Sequence, residues 1–414
     1  STRGHRFVTR FSVPDVAGGR SAAGRVSGSR IPRGEPAPLR QRILPSSPEP
    51  DPSMSEPSPA ARRRFLWCAA GTVATIYALI LVGGIVRASG SGMGCPDWPM
   101  CFGQWIPPLS ASELPADYQT IYADRGYAET EFNVRKTWTE YLNRLLGAFT
   151  GLTILATLCF AWPFRRHEPA VLGLSVAGFV LVGVQGWLGS VVVATNLHTG
   201  IITLHMLLAQ VIVGIVIVAL WRAERERMAN DAATLATRAN EPLPSGTRLL
   251  LVAAMSAGLL QLVVGTQVRE AVDLVARASE HVDRHLWIAA LPRVYDVHKW
   301  LALPTVAVNG WVIWLVLTRF DAPLPRRLAI ALAALLLGTI AVGTSMERLN
   351  LPMFAQPLHL WFGSMIFGLQ LAMLLVIGGA GRASAMATGR ATGQATGQAT
   401  GQATGHATPP VGAS

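Results

Sequence analysis

The fold class this sequence predicts is an all-α polytopic membrane protein, with eight transmembrane helices forming two pseudo-symmetric four-helix bundles. Three observations carry the prediction. Of the 414 residues, 50% are hydrophobic and 14% are charged, and the mean hydropathy is +0.36, well away from the average soluble domain. Eight apolar segments each approach the roughly 20 residues a helix needs to cross the hydrocarbon. The chain also repeats itself. Gly189-Ser190 to His205 matches Gly343-Thr344 to His359, sixteen residues from glycine to histidine in both, and Asn196 and Asn350 each fall seven residues after the glycine.

Residues 1–60 are rich in Arg, Pro, Ser and Gly and lack an apolar period, so 1–64 reads as a disordered extension. Before Glu35 it carries seven arginines against the single acid Asp15, the composition of a transit peptide. The reading adopted is instead an over-extended start in a bacterial gene, with Met54 as the true start just ahead of Arg62-Arg63-Arg64. A mitochondrial inner membrane is the alternative location.

The apolar segments lie at about 65–87, 137–162, 169–194, 199–221, 247–268, 297–318, 327–346 and 357–380. With the N-terminus inside, Arg62–Arg64, Arg165-Arg166, Arg222/Arg225/Arg227, Arg319/Arg326/Arg327 and Arg382 all fall on the cytoplasmic side, as the positive-inside rule requires. Both termini are then cytoplasmic. The acidic loop 88–136 and a second loop at about 269–296 lie outside. Val82-Gly83-Gly84-Ile85-Val86-Arg87 resembles Val264-Gly265-Thr266-Gln267-Val268-Arg269, and Asn143-Arg144 sits where His298-Lys299 sits. Halves of even span number enter from the same side, which gives a parallel repeat about the membrane normal. The bundles occupy 65–221 and 247–380, joined by a cytoplasmic linker at 222–246. The tail 381–414 contains ATG-based tetrads from Ala387 to His406 and is low-complexity, so His406 is no ligand.

The +11 charge and pI near 10.3 raise nucleic acid as a partner, but the arginines sit in short loops beside apolar runs, which is topology. Cys68 and Cys159 lie in apolar runs and pack as small hydrophobes.

A histidine inside a span is costly and marks function or a partner. His205, His298 and His359 lie toward the outer ends of their spans. A histidine pair from facing helices holds a haem iron with both axial positions filled, an electron-transfer state. The first bundle breaks the symmetry: Asn143 replaces the counterpart of His298, and an asparagine is a poor iron ligand. Glu140, three residues earlier, shares its face and is the candidate proton donor or acceptor. The competing reading pairs Glu140 with Arg144 or Arg135. One bundle thus reads as a cofactor site and the other as a substrate site held by His205. His198, at the mouth of its span, either replaces the missing ligand or sits at headgroup level. In Gly90-Ser-Gly-Met-Gly94-Cys95-Pro-Asp-Trp98-Pro-Met-Cys101, no strand precedes the glycines, which removes a dinucleotide site. Cys95 and Cys101 lie six apart on the oxidising face, where a disulfide is permitted, as a reducible pair or as a structural staple. No histidine lies near enough in the loop for zinc.

These residues, with Gly83-Gly84-Ile-Val-Arg87, Glu140-Tyr-Leu-Asn143-Arg144, Thr203-Leu-His205, His298 and His359, resemble the haem A synthase family over about 65–380. The resemblance implies an eight-helix membrane oxidoreductase that converts a methyl group of haem O to the formyl group of haem A for cytochrome c oxidase biogenesis. By the same resemblance His298 and His359 ligate a haem b cofactor, His205 and Asn143 lie on the haem O side, Glu140 is the essential glutamate, and Cys95 and Cys101 are the cysteines of the two-cysteine type. Asn143 departs from the histidine many members carry. Arg87 and Arg269, at equivalent span ends, are candidate partners of haem propionates; ordinary helix-end anchoring is the alternative. Expected partners are haem O, haem A, a haem O synthase, cytochrome c oxidase assembly factors, the lipid bilayer of the bacterial inner membrane and a second copy of the chain; nucleic acid is not expected. Two rival functions remain: a di-haem electron-transfer cytochrome, which needs four good axial ligands, and a transporter, whose spans are usually broken at the midplane.

Overall fold

The computed structural model describes residues 56–128, 130–236, 246–278 and 286–378. The expected extension up to residue 55, with Met54, and the tail from 379, with Arg382 and His406, lie outside these residues. Among these residues the architecture is eight long helices: α1 (Pro59–Ala88), α2 (Val134–Ala161), α3 (Pro169–Ala194), α4 (Thr199–Ala236), α5 (Thr247–Ala278), α6 (Val294–Arg319), α7 (Pro323–Arg348) and α8 (Ala355–Gly378). Each is long and apolar enough to cross a membrane, so the chain is a multi-pass membrane protein. Large apolar side chains such as Trp67, Leu152, Trp187 and Leu337 point outward from the helices. That is the expected surface where the solvent is hydrocarbon and every backbone group is satisfied within its own helix.

The helix starts follow local chemistry. Ser58 caps α1 by accepting from the Ala61 amide at 3.2 Å, and Pro59 occupies the first turn, where its missing N–H costs nothing. Asn133 caps α2 by accepting from the Lys136 amide at 3.1 Å. The turns from α3 to α4 and from α7 to α8 are built alike. Asn196-Leu197 and Asn350-Leu351 all have positive φ, between 50° and 65°. The Leu197 amide reaches back to the Val192 carbonyl, and Leu351 to Met346, at 2.9 Å each, which satisfies otherwise orphaned helix-end carbonyls. The shared asparagine offset in the sequence therefore corresponds to one turn geometry used twice; asparagine tolerates the left-handed region better than most side chains.

One apolar core gathers Phe65, Ile154, Val171 and Val216 from α1–α4, and another gathers Leu251, Val312, Leu332 and Met373 from α5–α8. Within hydrocarbon, packing and interhelical hydrogen bonds replace the hydrophobic drive. Thr72 and Thr75 of α1 meet Thr157 and Thr153 of α2 at 2.9 and 3.2 Å, Asn309 of α6 accepts from Gln370 of α8 at 2.7 Å, and Thr203 of α4 meets Thr266 of α5 at 2.7 Å. A Cβ on Gly84 of α1 would lie 3.1 Å from Pro357 of α8, so α1 and α8 also touch closely.

The helix begun at Thr199 does not stop near residue 221. It continues to Ala236, through the first part of the segment expected as a linker. Arg222 and Arg225 on this extension hold Glu168, which precedes α3, at 3.2 and 3.1 Å.

Between α1 and α2 the chain folds into a compact loop at the end of the helices that also carries the asparagine turns. Cys95 and Cys101 form a disulfide and are fully buried. Phe102, Tyr118, Tyr122, Tyr127 and Phe132 pack edge to face beside it. The Asp97 carboxylate accepts from the amides of Phe102 and Gly103 at 2.6 and 2.7 Å. Gly94 lies against α2 so closely that a Cβ there would collide with the Lys136 carbonyl.

Candidate functional site

Four glycines set the positions of the candidate ligands. A Cβ placed on Gly189 of α3 would lie 3.6 Å from Cε1 of His205 on α4; on Gly265 of α5, 3.3 Å from Cε1 of His298 on α6; on Gly343 of α7, 3.1 Å from Cε1 of His359 on α8. The fourth pair is Gly83 of α1 and Asn143 of α2, with Oδ1 at 3.8 Å. In each, a helix presents bare backbone and the next helix lays its polar side chain into the space. The sequence had singled out the three histidines and Asn143 as candidate haem-site residues and the four glycines as repeat markers; the contact between the members of each pair is what the fold adds.

His298 and His359 come together. Their ring centroids are 6.2 Å apart with planes at 64°, a separation that leaves room for one metal atom with imidazole–metal bonds of about 2 Å. Nδ1 of His359 lies 3.0 Å from the Thr339 carbonyl, and a ligating histidine usually gives its second ring nitrogen to such an acceptor. Nδ1 of His205 and of His298 is buried with no hydrogen-bond partner. Beside them, Gln185 donates to the His205 carbonyl at 2.9 Å and Gln261 to the His298 carbonyl at 3.2 Å. Among the described residues, no three His, Cys, Asp or Glu side chains gather as a metal-holding set. The pair therefore suits a metal whose remaining ligands belong to a macrocycle, and on that ground the residues fit a haem.

Glu140 is the one buried acid among the described residues. Its Oε2 accepts from the Cys95 amide at 2.8 Å, and its Oε1 accepts from Nη2 of Arg144 one turn on. Arg144 also donates to the carbonyls of Asp97, Met100 and Cys95 at 2.6, 2.9 and 2.9 Å. Glu140 and Arg144 thus pin the disulfide loop to α2, where irregular backbone at helix depth needs protein partners. Of the two pairings considered for Glu140, the fold makes the one with Arg144. The Tyr127 hydroxyl, which donates to Met93 at 2.7 Å, is pushed well above the usual tyrosine range by burial and then by the charge of Glu140. Lys299, the repeat counterpart of Arg144, takes a different partner, Glu347 of α7 at 2.7 Å.

Arg87 and Arg269 each lie four residues, or about 6 Å of helix rise, past the glycines Gly83 and Gly265 that face Asn143 and His298. Both pair with Asp273, at 2.9 and 2.7 Å. Nε and Nη1 of Arg87 are buried without a partner. His198 is exposed and turns toward Gly200, outside the glycine-backed positions. Gln185, Gln261 and Asp273 were not singled out from the sequence. The glutamines were marked there by sitting four residues before a repeat glycine, whereas nothing in the sequence marks Asp273.

A model of the COX15-CtaA family, described as cytochrome oxidase assembly proteins, matches residues 66–371. The chain is 30% identical over 251 residues to the haem A synthase of Methylobacterium nodulans, covering 55% of this chain and 63% of that one. It is 32% identical over 235 residues to the haem A synthase of Methylobacterium sp. strain 4-46, covering 53% and 60%. With the haem A synthase of Geobacillus kaustophilus it shares 27% over 145 residues, or 35% and 38%. These matches span between about two fifths and just under two thirds of the relatives' own lengths.

Proposed function

Because the chain belongs to the COX15-CtaA family of cytochrome oxidase assembly proteins, we propose that it is a haem A synthase, a membrane oxidoreductase that oxidises a methyl group of haem O to the formyl group of haem A. The observation that carries the reading is the difference between the glycine-backed positions. His298 and His359 pair at 6.2 Å, while Asn143 stands on Gly83 where a second histidine would complement His205.

In this reading the α5–α8 half is the cofactor half. His298 and His359 would hold a haem b, which would supply one-electron redox chemistry to this half. The Thr339 carbonyl holds Nδ1 of His359 and so leaves the other ring nitrogen free to act as the ligand.

The α1–α4 half receives haem O. His205, seated on Gly189, anchors it from one side, and Asn143 leaves the opposite side weakly held. On α2, Glu140 stands about one turn before Asn143 and Arg144 directly follows it. Glu140 serves as the proton-transfer group as the methyl loses hydrogen, and Arg144 holds both that carboxylate and the Cys95–Cys101 loop in place. Arg87 and Arg269 offer guanidinium groups to propionates, a geometry that suits carboxylates bidentately.

The arginines at the helix ends support a location in a bacterial inner membrane with both termini cytoplasmic and the disulfide loop outside. There a haem O synthase would supply the substrate and cytochrome c oxidase assembly would consume the product. The experiment is expression with a haem O source, then extraction and chromatography of the haems. Haem A appearing only when the chain is present supports the assignment. Its absence, with haem b still bound, would leave an electron-transfer cytochrome instead.

A further inference from the structure

We propose that Gln185 and Gln261 are positioning residues whose Oε1 atoms accept the Nδ1–H of His205 and His298, and so aim the opposite ring nitrogen of each histidine at the iron of a bound haem. The proposal rests on the haem reading given above and adds the residues that orient two of its three histidines.

Nδ1 of His205 and of His298 is buried without a partner, and so is Oε1 of Gln185 and of Gln261. A buried polar atom left unpaired is destabilising, and here each half holds a donor and an acceptor that each lack what the other offers. They already belong to neighbouring side chains, since each glutamine donates through Nε2 to the backbone carbonyl of the same histidine, at 2.9 and 3.2 Å.

The third histidine shows the arrangement completed. Nδ1 of His359 meets the carbonyl oxygen of Thr339 at 3.0 Å. Thr339 stands four residues before Gly343, just as Gln185 stands four before Gly189 and Gln261 four before Gly265. One helix therefore supplies the ring with space from its glycine and, one turn earlier on the same face, with an oxygen. At the fourth position the residue four before Gly83 is Leu79, which has no acceptor side chain, and the residue it faces is Asn143, which has no ring to orient. Within the chain's own repeat, glutamine is found at the two histidine seats that have no backbone acceptor and not where the histidine is absent; at His359 the Thr339 backbone carbonyl takes that part.

The hydrogen bond to Nδ1 fixes the tautomer and raises the basicity of the ligating nitrogen, so its signature is electronic. In the full-length protein purified with its haem b, the midpoint potential is measured for wild type, Gln261→Leu and Gln261→Glu. Gln261→Leu removes the acceptor and shifts the potential upward; Gln261→Glu offers a charged acceptor of the same shape and shifts it downward. Gln185→Leu leaves the haem b potential at the wild-type value but weakens haem O binding, followed by absorbance titration, by about tenfold or more. Unchanged potential in both Gln261 variants, or equal loss of haem from both, overturns the proposal. Wild-type protein that purifies without haem b would instead bring down the haem reading itself, and this proposal with it.

Discussion

Arg87 and Arg269 close on the same carboxylate: Asp273 accepts from Nη2 of Arg87 through Oδ2 and from Nη2 of Arg269 through Oδ1, at 2.9 and 2.7 Å. Arg269 also donates to the Arg87 carbonyl at 3.4 Å. The loop-side ends of α1 and α5 are thus tied by one acid between two guanidiniums.

Removing that acid sets two like charges against each other. Asp273→Asn is expected to lower the stability of the detergent-solubilised protein by on the order of 1–3 kcal/mol, the range for hydrogen bonds to charged groups. Adding Arg269→Gln to Asp273→Asn should recover part of the loss, because one of the opposed charges is gone. Thermal unfolding of the two variants checks both, and additive losses would show that the three side chains do not act as a unit.

Glu140→Gln keeps the shape of the side chain and one acceptor oxygen, so the Cys95 amide or Arg144, but not both, keeps its partner. The expected result is a folded protein with its disulfide and haem b intact, a modest fall in melting temperature and no haem A. Haem A formation at the wild-type rate would confine Glu140 to holding the loop.

The glycine-backed seats predict a steric effect. In Gly343→Ala and Gly265→Ala the new methyl would stand 3.1 and 3.3 Å from His359 and His298, closer than ordinary carbon–carbon contact of about 3.5–4.0 Å, so the ring must move. Both variants should lose most of their haem b. Gly71→Ala, in α1 with nothing within 4 Å of the added carbon, should keep it and gain up to about 1 kcal/mol of helix stability. Haem content per polypeptide, read from absorbance, separates these outcomes.

The spans and the histidine positions were legible because membrane helices announce themselves by length and hydropathy, and because the chain writes its turn at Asn196 and at Asn350 in the same register. Hydropathy also explains the misplaced end of α4. The residues after Trp221 are polar and looked like a linker, yet Ala, Glu, Arg and Met dominate there, all good helix formers, and Glu168 holds Arg222 and Arg225. The sharing of Asp273 was not legible, since it depends on which faces of α1 and α5 meet. The loop around Cys95 has no period to read, and its conformation rests on long-range bonds from Arg144 to three carbonyls. Gln185 and Gln261 are legible in the sequence only through their common offset of four residues before Gly189 and Gly265, a weaker mark than the repeated histidines.

Asn143 supports a gain-of-ligand experiment. Its Oδ1 stands 3.8 Å from the position of a Cβ on Gly83, a looser fit than the 3.1–3.6 Å of the three histidine seats, so an imidazole can be accommodated without moving α1. Asn143→His supplies a second strong ligand opposite His205 and should trap haem in the α1–α4 half. Purified Asn143→His is then expected to carry more haem per polypeptide than wild type, with a larger low-spin signal, and to form haem A more slowly because substrate is held on both sides. Leu79, four residues before Gly83, offers the new ring no side-chain acceptor, so Leu79→Gln combined with Asn143→His should hold that haem more tightly than Asn143→His alone. Equal haem content in wild type and Asn143→His would mean that Asn143 and His205 do not face a common site.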